Sequence, residues 1–98
     1  MNSYYPGAVV RIKGEFQNTD SLTYVDPGTI TAKVKSPLGQ TTIYQYGVDV
    51  GVIRDTQGKY SLALEPIIQG VWVYRWQGDG ANKGSKEEFF QILESEFD

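Results

Sequence analysis

Apolar and polar residues alternate along much of this chain. In the segment 8–16, Val10, Ile12 and Phe16 share one face of an extended chain, whereas charged residues occupy the other face. A period of two is typical of a β-strand with one face against a core and the other in water. The same period predicts further strands at residues 29–36, 41–46, 59–64, 71–77 and 88–93, and a less regular edge strand at 48–54.

Turn sequences separate the predicted strands at intervals of roughly ten residues. The clearest are the segment 55–58 and Asp26-Pro27-Gly28, in which proline presets φ and glycine accepts a positive φ. A tight connection at 37–40 predicts a hairpin between the second and third strands. The sequence has no helical period and no internal repeat, so we predict an all-β chain folded as one antiparallel β-sandwich of about seven strands.

The length of the chain, 98 residues, is enough for one modest core and too short for a second. We therefore assign a single domain to residues 8–93, with an N-terminal arm at 1–7 and an acidic tail at 94–98. The arm has neither the basic region nor the apolar stretch of a secretory signal. No apolar stretch approaches the roughly 20 residues needed to cross a bilayer, so we expect no signal peptide and no membrane partner.

Composition and charge exclude several classes of function. The chain has 9 Lys and Arg residues against 12 Asp and Glu, and its net charge of −3 would repel the phosphates of a nucleic acid. The absence of Cys and His removes thiol nucleophiles, disulfides, imidazole bases and nearly all zinc sites. Turn chemistry accounts for each loop aspartate, including Asp26, without a calcium site. We expect no enzymatic activity, no catalytic residue, no metal and no cofactor.

The strand predicted at 71–77 is apolar on both faces, which is typical of a central strand. We predict that Trp72, Tyr74 and Trp76 fill the core, because few other side chains are large enough for the gap of roughly 10 Å between two sheets. The alternative is an exposed aromatic row that stacks on sugars. If the aromatic row points inward, the opposite face presents Val71, Val73 and Arg75.

This outward row is a candidate protein-binding surface. Apolar side chains combined with arginine and tyrosine are enriched at protein interfaces. The third strand adds either Tyr44 and Tyr46 or Ile43, depending on which of its faces points outward. The alternative is that the N-terminal arm or a loop covers this face. The candidate partner-binding residues are Tyr4, Tyr5, Tyr44, Tyr46, Val71, Val73 and Arg75.

Tyr4 and Tyr5 belong to this set because they precede the first strand, where a free arm is normally small and polar. They pin the arm either to a partner or to the surface of the domain itself. An unpaired strand edge that adds to the sheet of another chain is a further possibility. The sequence does not locate such an edge.

Several of these segments resemble known domains when they are taken together. The run from Gly70 through Trp72 to Trp76, preceded by the turn at 55–58 and by Tyr60, resembles the late strands of immunoglobulin-like β-sandwiches. The cysteine pair and the third-strand tryptophan of antibody domains are missing. The resemblance is therefore to the cysteine-free immunoglobulin-like domains of bacterial surface proteins and tailed bacteriophages.

A narrower resemblance extends over residues 6–92. The order of turn and core motifs is similar to that of small accessory structural proteins of phage and prophage genomes. The motifs lie at 6–7, 10–12, 26–27, 34–39, 46–47, 54–55, 58–60 and 74–78. This resemblance implies a virion component, assembled in the host cytoplasm, that docks on capsid, neck or tail proteins. It implies no catalytic residues, and it allows a homo-oligomer on the particle.

We therefore expect a non-enzymatic structural domain that works by docking on a protein partner, as a decoration, neck or tail-associated component of a virion. Two alternatives stay open. One is a carbohydrate-binding module that uses Tyr44 and Tyr46. The other is an adhesive or spacer module of a bacterial surface protein.

Overall fold

The computed structural model describes residues 2–18 and 20–97. These residues form eight β-strands and no helix, in agreement with the alternation of apolar and polar side chains. That part of the chain accordingly offers no long apolar helix for crossing a membrane. The predicted arm and tail each include one residue outside the described ranges, Met1 and Asp98. The strands are β1 (Asn2–Tyr4), β2 (Val10–Glu15), β3 (Thr29–Lys35), β4 (Thr41–Gln45), β5 (Val52–Thr56), β6 (Lys59–Leu64), β7 (Gly70–Asp79) and β8 (Gly84–Ile92).

The strands form two sheets, one in the order β1-β8-β7-β3-β4 and one in the order β2-β6-β5. All pairs are antiparallel except β1 with β8, which run parallel. With β8-β7-β3 in one sheet and β2-β6-β5 in the other, the strands follow the immunoglobulin-like order of G-F-C and B-E-D, and β4 extends the larger sheet as a C′ strand does. The prediction of an all-β sandwich is confirmed.

The predicted neighbours in the sheets are confirmed as well. β7 lies between β8 and β3, so the strand that is apolar on both faces is central. β3 and β4 form the predicted hairpin. The strand that the sequence pattern does not predict is β1, which lies within the segment expected to be an arm and pairs with residues 90–92 of β8.

The connection between β7 and β8 is shorter than predicted. The strands predicted at 71–77 and 88–93 leave residues 78–87 for the connection, yet both strands extend into this segment and leave a turn at 80–83. Gly78 is buried within β7, and a Cβ at this position would lie 2.4 Å from Cγ of Pro27. The glycine that suggests a loop in the sequence therefore makes room for a proline ring.

The prediction of an edge strand at 48–54 is wrong in its first half. Residues 46–51 form turns, and β5 begins only at Val52. The Asp49 carboxylate accepts the backbone N–H of Gln45 at 2.8 Å, and the Gln45 carbonyl accepts the N–H of Asp49 at 2.8 Å. Such local hydrogen bonds from an aspartate compete with a strand ladder, which is why alternating valines do not make a strand here.

The inward faces of the two sheets meet in one core. Trp76 is the largest fully buried side chain, with 2% exposure, whereas Trp72 and Tyr74 are half-buried and pack against the core. The prediction that this row points inward is confirmed, most completely at Trp76. The other buried apolar residues are Val10, Ile12, Phe16, Ile30, Ala32, Val34, Val52, Tyr60, Leu62, Phe90 and Ile92.

The indole of Trp76 fits between the sheets because β2 has a glycine opposite it. A Cβ added at Gly14 would lie 2.5 Å from Cδ2 of Trp76, closer than carbon atoms can approach without a shift. The absence of a side chain at this position therefore sets how closely β2 can approach the large sheet.

Candidate functional site

The side chains that point away from the core on the five-stranded sheet form the candidate functional site. Their common direction follows from the strand register, because residues directly opposite each other place their side chains on the same face of a sheet. We call this surface the outer face. Its central members are Lys33, Lys35, Ile43, Val71, Val73, Arg75, Glu87 and Phe89.

One part of the outer face is apolar. Val73 lies directly opposite Phe89, and Val71 points to the same side of β7. Phe89 is 53% exposed, Val71 is 44% exposed, and Ile43 on the far side of the sheet is 59% exposed. Grouped apolar side chains with this exposure are typical of protein-binding surfaces.

The other part of the outer face carries like charges. Arg75 lies directly opposite Lys33, and Lys35 follows on the same side of β3. Like charges in opposite positions destabilise a sheet. Glu87 is the other neighbour of Arg75, but no carboxylate of residues 2–18 and 20–97 forms an ion pair with Arg75. The Arg75 Nε is also buried with no acceptor among those residues, so this atom has no hydrogen bond to a side chain that the structure describes.

The structure brings three of the predicted partner-binding residues together on this surface, namely Val71, Val73 and Arg75. It also decides between the two alternatives for the third predicted strand. Ile43 points outward, whereas Tyr44 is half-buried and packs against the core. The apolar contribution of β4 to the outer face is therefore an isoleucine and not a tyrosine.

The remaining predicted residues lie at the two edges of the sheet. Tyr46 follows β4, and its ring meets that of Tyr60 edge-to-face at a centroid distance of 5.3 Å. Tyr4 is half-buried in β1, where its ring meets that of Phe90 edge-to-face at 6.1 Å. Tyr5 follows β1 and is 62% exposed. The structure therefore places Tyr4 and Tyr5 at the β1 edge of the sheet and Tyr46 at the β4 edge, and does not bring the two edges together.

The segment expected to form an arm does not lie across the outer face. β1 extends the five-stranded sheet sideways, beyond β8. Val71 and Phe89 accordingly keep about half of their surface in solvent. Within the described residues, the outer face is uncovered.

Sequence reasoning did not place Phe89, Lys33 and Lys35 in the candidate site. A signal for Phe89 was present, because adjacent phenylalanines in a strand must point to opposite faces and Phe90 fills the core. The two lysines are recognisable as neighbours of Arg75 only once the pairing of β3 with β7 is known.

A second group of polar side chains lies where the segment 17–28 meets β5 and β6, and we call it the Asp26 cluster. The Asp26 carboxylate accepts hydrogen bonds from Arg54 Nη2 at 2.8 Å, from the Gly58 N–H at 2.8 Å and from the Tyr60 hydroxyl at 2.6 Å. These donors, Arg54 above all, hold the pKa of Asp26 well below its usual range. Burial, followed by the bond to Asp26, raises the pKa of Tyr60 to about 12.

Glu88 is a second carboxylate with bound partners. It accepts a hydrogen bond from the Tyr74 hydroxyl at 2.7 Å and pairs with Lys86 Nζ at 2.9 Å. The bond from Lys86, followed by that from Tyr74, lowers the pKa of Glu88. Burial is the main reason that the pKa of Tyr74 is raised. Both carboxylates therefore bind their partners as anions.

Residues 2–18 and 20–97 contain no group of three or more Asp, Glu, His or Cys side chains placed to hold a metal ion. Their best-formed exposed feature is the outer face, with its apolar and cationic halves. No family model, no curated protein and no solved structure matches this chain.

Proposed function

We propose that this domain is a non-enzymatic docking module and that the outer face is the surface it presents to a protein partner. The observation that carries the proposal is a juxtaposition on one sheet face. The apolar pair Val73 and Phe89 lies beside Arg75 and Lys33, two like charges held in opposite positions. A partner with acidic and apolar side chains would relieve the repulsion and bury the exposed apolar surface.

The partner we propose is a capsid, neck or tail protein of a tailed phage, with the domain as an accessory component of the virion. The support for this assignment is the resemblance of the turn and core motifs between residues 6 and 92 to those of small phage proteins. Such a component is assembled in the host cytoplasm, and copies of it can contact one another on the particle.

A role in binding instead of catalysis is supported by the state of the two bonded carboxylates. Asp26 and Glu88 both have lowered pKa values, because cationic and hydroxyl donors stabilise their charged forms. An efficient general acid or base needs a pKa near the working pH. Neither carboxylate meets that requirement at neutral pH.

Charge reversal on the outer face tests the proposal. The double substitution Lys33→Glu and Lys35→Glu replaces two exposed cations on β3 with anions. We expect this variant to lose binding to the virion protein that captures the unaltered domain, because acidic surfaces would then face each other. The measurement is a pull-down with the tagged domain against separately expressed capsid, neck and tail proteins.

The matched control reverses two cations on the opposite sheet. Arg11 and Lys13 have the same two-residue spacing on β2 and are also exposed, so Arg11→Glu with Lys13→Glu makes the same change of charge on a different surface. We expect this control to bind normally. Equal loss in both double variants, or no capture by any virion protein together with absence from purified particles by mass spectrometry, would contradict the proposal.

A further inference from the structure

The outer edge of β8 is paired along only part of its length. β1, which the structure describes from Asn2 to Tyr4, lies beside residues 90–92 of β8. Among the residues that the structure describes, no strand lies beside residues 85–88 on that side. Within residues 2–18 and 20–97, the large sheet therefore has an unpaired stretch of strand edge next to β1.

The backbone groups of this stretch point toward the open side. Leu93 donates its N–H to the Tyr4 carbonyl of β1, and the register of β8 with β7 is continuous from residue 84 to residue 92. Backbone groups in an antiparallel pair alternate in direction from one residue to the next. The N–H and C=O of Ser85 and Glu87 therefore point away from β7, in position to pair with an added strand.

Each edge on the other side of the sandwich is interrupted at one point. On β4, the Asp49 carboxylate already holds the N–H of Gln45 at 2.8 Å. On β5, the register with β6 shifts between Arg54 and Thr56. Bulges and blocked backbone groups are features that hinder edge-to-edge pairing.

Two cavities lie between β2 and β8 along the same side. One, of about 360 Å³, is lined by residues that include Tyr4, Ile12 and Glu88. The other, of about 270 Å³, is lined by residues that include Trp76 and Ser85. The gap between the two sheets is therefore open next to the unpaired stretch of β8.

Trp76, which lines the second cavity, carries a buried donor without an acceptor among the described residues. The side chain of Trp76 is 2% exposed, yet its Nε1 has no hydrogen-bond acceptor within residues 2–18 and 20–97. Buried indole N–H groups normally have one. Trp72 follows the rule, since its Nε1 donates to the Ile68 carbonyl at 2.9 Å.

We propose that residues 85–88 of β8 are a peptide-binding edge, to which an extended segment of a partner protein adds as a strand. Main-chain hydrogen bonds to Ser85 and Glu87 would supply affinity, and side chains that enter the two cavities would supply specificity, as in other cases of β-strand addition. An oxygen atom on one of these side chains accepts the N–H of Trp76. This edge is separate from the docking proposed for the outer face, which it borders at Glu87.

The strand register and the charges on β8 define which side chains the added peptide should carry. Peptide side chains that lie beside Lys86 and Glu88 point toward the core, because these two residues pair with the inward-pointing Trp76 and Tyr74. A threonine at these positions offers a methyl group to the apolar lining and a hydroxyl oxygen to the N–H of Trp76. The position between them lies beside Glu87, which forms no ion pair with the described residues. A lysine or arginine at that position completes a cross-strand pair of opposite charge.

The test is an NMR titration of the full chain with a short blocked peptide of threonines around one central lysine. The sequence reads the same in both directions, so either strand orientation is tested. We expect the indole N–H resonance of Trp76 to shift while that of Trp72 stays in place. We also expect the amide hydrogens of Ser85 and Glu87 to exchange more slowly with solvent when the peptide is bound.

The matched protein variants each remove one N–H from an open strand edge. Glu87→Pro removes a donor that the ladder with β7 does not use, and we expect it to abolish binding. Lys13→Pro does the same on β2, since Phe16 N–H faces β6 and the N–H of Lys13 therefore points outward. We expect Lys13→Pro to bind normally. Proline is tolerated in edge strands at positions of this kind.

Matched peptides test the same interaction without altering the protein. Methylating the backbone nitrogens of alternate residues blocks one edge of the peptide. We expect methylation of one alternate set to abolish binding and methylation of the other set to leave it intact. A peptide with glutamate in place of lysine should bind several-fold more weakly.

Three results would overturn the proposal. The first is an unchanged Trp76 indole resonance up to the solubility limit of the peptide. The second is an equal shift of both indoles, which would indicate a general change of the fold. The third is full binding by both methylated peptides, which would show that no backbone ladder forms.

Discussion

The Asp26 cluster and the gap between β2 and β8 show two opposite ways of placing polar groups in a small β-sandwich. In the cluster, one carboxylate accepts hydrogen bonds from Arg54, Gly58 and Tyr60. In the gap, the Trp76 Nε1 has no acceptor within the described ranges, and two cavities lie along β8. An unsatisfied buried polar group costs free energy, whereas a satisfied one does not. We infer that the cluster stabilises the fold and that the gap receives side chains of the peptide proposed above.

The largest loss of stability is expected when the tryptophan between the two sheets, Trp76, is removed. Trp76→Ala should lower the free energy of unfolding by about 3 to 5 kcal/mol, because it removes the largest fully buried side chain and leaves a cavity. Trp72→Ala should cost less, since Trp72 is only half-buried. Urea denaturation of both variants measures the difference. Equal losses would show that the two indoles support the core equally and that the gap has no special dependence on Trp76.

Removing the central carboxylate tests the other region. Asp26→Ala should cost about 1 to 2 kcal/mol, because the N–H of Gly58 and the hydroxyl of Tyr60 lose their acceptor. The loss is smaller than for a fully buried carboxylate, since the Asp26 side chain is 36% exposed. The control is Asp20→Ala in the same exposed connection, which should leave stability unchanged within about 0.5 kcal/mol. Comparable losses in the two variants would remove the special role of Asp26.

The pH dependence of stability should report the same cluster. The pKa of Asp26 in the folded chain lies below its ordinary value of 3.8, so its stabilising contribution is complete above that value and is lost as the pH falls through the lowered pKa. We expect the unaltered chain to lose stability more steeply in acid than Asp26→Asn does. The measurement is urea denaturation at a series of pH values from neutral downward. Parallel curves for the two proteins would contradict the lowered pKa.

The smallest change in stability is expected for Lys86, which lines the second of the two cavities between β2 and β8. Lys86 pairs with Glu88 across 2.9 Å, but its side chain is 66% exposed, and exposed pairs contribute little. Lys86→Ala should therefore change the free energy of unfolding by about 0.5 kcal/mol or less. High salt should reduce even this difference. A loss as large as that of Asp26→Ala would mean that the part of β8 around Lys86 supports the fold and is not an open edge.

The fold could be predicted from local patterns wherever one face of a strand is buried. Val10, Ile12 and Phe16 alternate with charged residues because only one side of β2 meets the core. β1 could not be found in this way, since its three residues are too few to show a period and its partner is at the other end of the chain. Hydrogen bonds between distant residues leave no trace in a local pattern.

The candidate site was predictable only in part for the same reason. The alternation in β7 identifies Val71, Val73 and Arg75 as one face. Which residues lie beside them depends on pairing across strands, and this pairing adds Phe89 and Lys33. The bond between Asp26 and Arg54 spans 28 positions of sequence, so an aspartate that looks like an ordinary turn residue is the centre of a network.

The parallel alignment of β1 and β8 has a mechanical consequence. If tension pulls the chain apart through the segments before Asn2 and after Ile92, the two strands are drawn in opposite directions along their common axis. The backbone bonds between them, such as that from Leu93 to Tyr4, then bear the force together in shear instead of opening one after another. A domain joined to its surroundings through these strands would hold under load better than its modest core suggests.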